Sequence, residues 1–321
     1  MTRFIHLIFL IALAPPISAQ MGFTRGDVLA SGSHESIDSQ GDPITISNIR
    51  VYGRDGVFKR ELISQENQFW SEPLYREGIV YAASRVQRID RIDAAGNLLP
   101  PFPAPVVNVN FLSPGPSSGL LAANGSGEIY QLASSGILVH KRDVTQSPRA
   151  FGGIELSSDG CTVFYATSGS LARWNACLDT PAAFWGPNLA GASRALRLRP
   201  DGTFLVTVIN LFPGLGNRVI HVDRDGNLIR SYPIPGYSLA LDIDGTSFWT
   251  SVGNSLVHVD IDSGEILSLT HTGFHIVGLS VVGEPRAGFA AAVGASIPTA
   301  SSAMLMMLAL TLAALAFIKL R

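Results

Sequence analysis

Between residues 20 and 283 the chain reads as short apolar runs separated by polar positions and glycine, with no amphipathic helical pattern of ten or more residues. Two glycine series set the rhythm. In the first, a glycine precedes an apolar strand: Gly78 before Ile-Val-Tyr, Gly119 before Leu-Leu-Ala, Gly160 before Cys-Thr-Val-Phe, Gly202 before Thr-Phe-Leu-Val and Gly245 before Thr-Ser-Phe-Trp. The spacings are 41, 41, 42 and 43. In the second, a strand runs into a turn glycine at Gly56, Gly96, Gly136, Gly226 and Gly264, with spacings of 40, 40, 90 and 38. The 90 holds two periods, and the missing turn falls near Leu178-Asp179. The strands leading into these turns share one register: Arg50-Val51-Tyr52, Arg91-Ile92-Asp93, Gln131-Leu132-Ala133, Arg173-Trp174-Asn175, His221-Val222-Asp223 and His258-Val259-Asp260. A polar, an apolar and a turn-proximal residue therefore recur six times, as strands with two different faces would show.

This period, with several short strands per unit, predicts an all-β fold: a six-bladed β-propeller of four-stranded blades. The unit around Cys161 divides into strands at Gly153–Leu156, Cys161–Thr167, Leu171–Ala176 and Ala183–Trp185. Asp27–Ser31 reads as the second strand of a blade whose innermost strand comes from the other end of the body, Ile276–Val282. The two terminal strands then share a blade and close the ring, which hides both sheet edges.

The ends of the chain differ from the body. Met1-Thr2-Arg3, the apolar run Phe4 to Ala14 and the small residues before Gln20 follow the layout of a signal peptide, 1–19, cut after Ala19. Ala300 to Ile318 is 19 residues without a charge, followed by Lys319 and Arg321, and reads as a membrane-crossing helix with its basic end in the cytoplasm. A stalk, 284–296, would join the propeller, 20–283, to this tail, 297–321. The expected location is the cell envelope, periplasmic or at the surface.

Ser296-Ile297-Pro298-Thr299 ahead of a hydrophobic helix and a basic end resembles the IPTL-CTERM sorting tails of Gram-negative bacteria. The sorting motif is Ile297, Pro298 and Thr299. Ala300 stands where that family has Leu, and Ala303-Met304 replaces its Trp-Gly pair. The resemblance implies an exosortase-like membrane protease as a processing partner. The body resembles NHL-like, YVTN-like and gluconolactonase-like propellers in its strand and turn pattern.

Net charge is −2, with no basic stripe, so nucleic acid is not an expected partner. The two cysteines of an exported chain are disulfide candidates. Cys161 and Cys177 lie eight residues either side of Gly169, where a hairpin turn would set them face to face. No nucleophile elbow and no phosphate loop occurs. His221 and His258 share a repeat slot and read as architecture, in blade-to-blade contact. Asp223 with Asp225, Asp242 with Asp244 and Asp260 with Asp262 read as turn residues rather than calcium ligands. Trp70-Ser71-Glu72-Pro73 is similar to the early Glu-Gly-Pro segment of gluconolactonase-like enzymes, a resemblance that implies a divalent metal at the channel mouth. The connection Asn210 to Asn217 is longer than its counterparts, and Asn210, Phe212, Leu215 and Asn217 are candidates for gripping a protein or glycan. A second long connection spans His34 to Asp42. The leading expectation is a binding or scaffolding module, with a metal-dependent hydrolase and a structural exoprotein as alternatives. No cofactor is named by the sequence.

Overall fold

The turn glycines are placed by backbone geometry and by the neighbouring blade together. Gly96 and Gly226 have φ of +87° and +86°, which favour glycine. Their N–H groups donate to the carbonyls of Asp93 (3.0 Å) and Asp223 (3.1 Å). A Cβ on Gly96 would lie 2.0 Å from the Leu62 carbonyl oxygen of the preceding blade. No side chain fits there, so the turn is also an inter-blade contact. The turn missing from the glycine series sits at Asp179, which takes a left-handed φ of +46° itself.

This computed structural model describes residues 22–286, apart from 38–39, 85–87, 107, 145–151, 168, 181–182, 188, 190 and 210–215. The expected signal peptide and sorting tail, including Ile297, Pro298 and Thr299, lie outside the described residues. So do Asn210, Phe212 and Leu215. Among the described residues no helix is long and apolar enough to cross a membrane.

The described residues form six antiparallel sheets of four strands each. One sheet combines β1 (Val28–Ile37), β2 (Pro43–Tyr52) and β3 (Phe58–Glu66) with the last strand, β24 (His275–Val281), in the order β24-β1-β2-β3. The terminal strands thus close the ring as expected, with Val28 opposite Val281. The other innermost strands are β4 (Trp70–Arg76), β8 (Val109–Pro114), β12 (Ile154–Leu156), β16 (Ala192–Leu198) and β20 (Leu239–Leu241). They surround a central channel.

The core lies between blades. One apolar cluster joins Leu121 and Ile129 of the third blade to Val163 and Trp174 of the fourth. Another joins Leu29 and Ile49 of the first to Trp70 and Val80 of the second. A third joins Val28 and Leu279 of the closing blade to Trp249 and Leu256 of the sixth. Each sheet buries both faces against neighbours, which is why the strands read as apolar runs and not as strict alternation.

Two expectations are corrected. Cys161 and Cys177 form a disulfide with Cα atoms 5.2 Å apart, but they do not face each other across the ladder. The register sets Thr167 opposite Ser170 and Thr162 opposite Asn175. Cys161 therefore falls opposite Ala176, whose N–H donates to its carbonyl at 2.8 Å, and the bridge is diagonal. The connection expected over His34 to Asp42 is shorter, because His34–Ile37 prolong β1 and pair with Pro43–Ile46. The histidines are architectural, and the hydrogen bonds of His221 and His258 run within their own blades. His221 Nε2 meets Thr203 Oγ1 at 2.8 Å, and His258 Nε2 meets Ser247 Oγ at 2.8 Å. The His258 ring stacks on Trp249 at 4.1 Å. Burial lowers both imidazole pKa values, so both rings are neutral at neutral pH.

Candidate functional site

Four innermost strands carry a β-bulge at the same end of the channel. The pairing of β4 with its neighbour skips between Trp70 and Pro73, that of β8 between Val109 and Phe111, and that of β16 between Ser193 and Leu196. The closing pair β1 and β24 skips where Ser31 meets Gly278 and Gly32 meets Ile276. The residues left over are Ser71 and Glu72, Asn110, Arg194 and Ala195, and Val277. All of them line one cavity of about 190 Å³ at the channel mouth. A bulge re-aims side chains that a regular strand would send elsewhere, and bulges gather next to functional sites.

The mouth has aromatic walls and polar edges. Phe69, Phe111 and Tyr237 supply the walls. The Arg194 guanidinium lies over the Tyr237 ring, 5.2 Å from its centre. Thr207 Oγ1 accepts from the N–H groups of Arg194 (3.2 Å) and Ala195 (2.8 Å), which fixes the bulge. Ser71 donates to the Ala83 carbonyl at 3.3 Å, and Ser238 meets Ser251 at 2.6 Å.

Below the mouth the channel is filled by an ion cluster. Arg197 bonds Glu72, Glu155 (3.4 Å), Glu284 (3.1 Å) and the Leu279 carbonyl (3.3 Å). Arg286 bonds Glu155 (3.2 Å), Glu284 (2.9 Å) and Ser113 (3.5 Å). The Leu241 N–H donates to Glu284 at 2.7 Å. Every one of the six innermost strands contributes a partner. The expected stalk therefore begins inside the ring: the chain turns after Val282 and packs Glu284 and Arg286 into the channel. Glu72 lines the mouth, whereas Glu284 and Arg286 line a second cavity of about 200 Å³ at the far end, so the cluster stands between the two.

Burial dominates its electrostatics. The side chains of Arg197 and Glu155 are 1% and 2% exposed. Desolvation pushes the Glu155 carboxyl up to about 7, against the pull of Arg286 and Arg197. It raises Glu72 in the same way, opposed chiefly by Arg197. Desolvation would lower Arg197, but the carboxylates of Glu72, Glu284 and Glu155 hold it above its usual range. Three carboxylates face two guanidiniums, so one proton on Glu155 makes the charges cancel.

The metal implied by the gluconolactonase-like resemblance does not fit these residues. Glu72 does reach the channel, yet it is neutralised by Arg197, and the other carboxylates are likewise bonded to guanidiniums. Among the described residues no group of three or more His, Cys, Asp or Glu side chains could hold a metal ion. The turn aspartates are occupied by backbone donors: Asp223 Oδ1 accepts from Asp225 (2.9 Å) and Asn227 (2.7 Å), Asp244 from Thr246 (2.9 Å) and Asp260 from Ser263 (2.7 Å). Asp242 is buried and accepts from Arg54 at 2.7 Å. Of the loop candidates, only Asn217 is described; it is half-buried at the start of the strand Arg218–Val222.

Glu72 apart, the sequence reading missed this site. One signal was available for the ion cluster. Ser113, Glu155 and Arg197 occupy the same inner-strand slot in consecutive blades, 42 residues apart each time, opposite Leu121, Phe164 and Leu205. Glu155 and Arg197 each interrupt an apolar pair, Ile154 with Leu156 and Leu196 with Leu198. A lone charge in a repeated buried slot asks for a partner across the ring. No protein-family model matches the chain, and no curated protein matches it.

Proposed function

We propose that the protein is a binding module of the cell envelope which takes its ligand at the bulged mouth of the propeller channel. The observation that carries the reading is the coincidence of four inner-strand bulges on one cavity; the other register shifts among the described residues fall between the third and fourth strands of their blades, away from the channel. An aromatic-walled hollow with a few convergent polar groups is the usual form of a ligand site. The body would be exported behind the signal peptide 1–19 and tethered or sorted through 297–321, with an exosortase-like protease as processing partner. The Cys161–Cys177 disulfide supports an oxidising compartment.

Two measurements test this. Mass spectrometry of the mature chain should find an N-terminus at Gln20; a form retaining Met1 in its native cell would overturn export. Retention of the purified chain on envelope fragments of its own cells should be lost in Tyr237→Ala, which removes one wall and the platform under Arg194. Undiminished retention would show that the mouth is not the binding site.

A further inference from the structure

We propose that the mouth recognises an acidic saccharide, one uronic-acid ring whose carboxylate is held by Arg194; this rests on the mouth being the binding site. Two arginines three residues apart in β16 have opposite surroundings. Arg197 is enclosed by carboxylates. Arg194 is exposed on its bulge, braced by the Tyr237 ring, and among the described residues its guanidinium has no acidic partner. Glu72 is the only carboxylate lining the cavity among the described residues, and Arg197 already neutralises it. Exposed His275 stands beside the same wall, its ring 6.0 Å from that of Tyr237. A ligand carboxylate thus meets a forked donor and no opposing charge.

The rest of the cavity suits a sugar. Phe69, Phe111 and Tyr237 offer flat apolar surface for the C–H face of a pyranose, and Asn110 offers an amide for its hydroxyl edge. The volume, about 190 Å³, is below the range usual for whole ligands, which fits a single ring with its chain continuing into solvent. An extended peptide would add main-chain hydrogen bonds to its carboxylate contact, as C-terminal capture in a backbone nest does. The Arg194 and Ala195 N–H groups are already given to Thr207.

Titration calorimetry of the purified full chain at low salt tests the assignment, with a galacturonic acid trimer, a neutral galactose trimer and an acidic tripeptide as probes. The acidic trimer should bind about tenfold tighter than the neutral one, as one charge-assisted fork allows. Arg194→Gln, an exposed change that leaves the fold intact, should erase that margin, and Asn110→Ala should weaken both sugars. Equal affinity for the two trimers, no effect of Arg194→Gln, or binding of the tripeptide alone would overturn the proposal. If no saccharide binds while Tyr237→Ala still abolishes envelope retention, the sugar assignment falls and the mouth reading stands. If retention is unchanged as well, both fall.

Discussion

The mouth of the central channel and its interior solve opposite problems with the same strands. In the interior, below the mouth, buried charges from Glu155, Arg197, Glu284 and Arg286 satisfy one another. At the mouth, bulges set Asn110 and Arg194 on the cavity, and the Arg194 guanidinium has no acidic partner among the described residues. The contrast teaches how to separate architecture from function in a symmetric ring. Charge that is closed on itself belongs to the fold; charge that is braced but has no acidic partner among the described residues is where a ligand is to be sought.

The sharpest way to break the comparison is to remove an arginine from each region. Arg197→Met leaves three buried carboxylates around one remaining guanidinium and should cost about 3–5 kcal/mol in denaturant melts, whereas Arg194→Gln should stay within about 0.5 kcal/mol. Equal effects would mean that the mouth arginine is structural. The disulfide pins the turns on the far face, across a separation of 16 residues. Replacing Cys161 and Cys177 with Ser should cost about 3 kcal/mol, seen as a lower midpoint that reductant reproduces in the native chain.

Smaller, but more diagnostic, is the pH dependence. Folded Glu155 holds its proton up to about 7, above the ordinary 4.5. Its contribution is therefore complete below pH 4.5 and is lost as pH rises through 7. The melting temperature should fall across this window, and Glu155→Gln should flatten the fall; an unchanged slope would place the titration elsewhere. A small effect on stability is expected in Tyr237→Ala, a half-buried wall residue, whose melting temperature should move by no more than a few degrees while envelope retention is lost.

Much of the ring was legible in the chain. Strand turns that need glycine, such as Gly96 and Gly226, repeat with the blade, and the incomplete first unit points to the spare strand at Ile276–Val282. The cysteines were legible as a pair but not in register, because the hairpin centre lies between residues rather than on Gly169. Bulges were not legible at all. An extra residue such as Asn110 changes which way a strand faces without changing its composition. The ion cluster hid for another reason: Glu72, Glu155, Arg197 and Glu284 are far apart in sequence, and only ring closure makes them neighbours.

The way Glu284 and Arg286 are seated has a mechanical consequence. Tension applied through whatever chain follows Arg286 would not peel β24 from the edge of β1 one hydrogen bond at a time. It would first meet side chains fastened to Glu155, Arg197, Ser113 and the backbone of Leu241. The pull is then shared among several blades as a tether knotted on the inside of a wheel loads its spokes together, and the ring closure lies behind that knot.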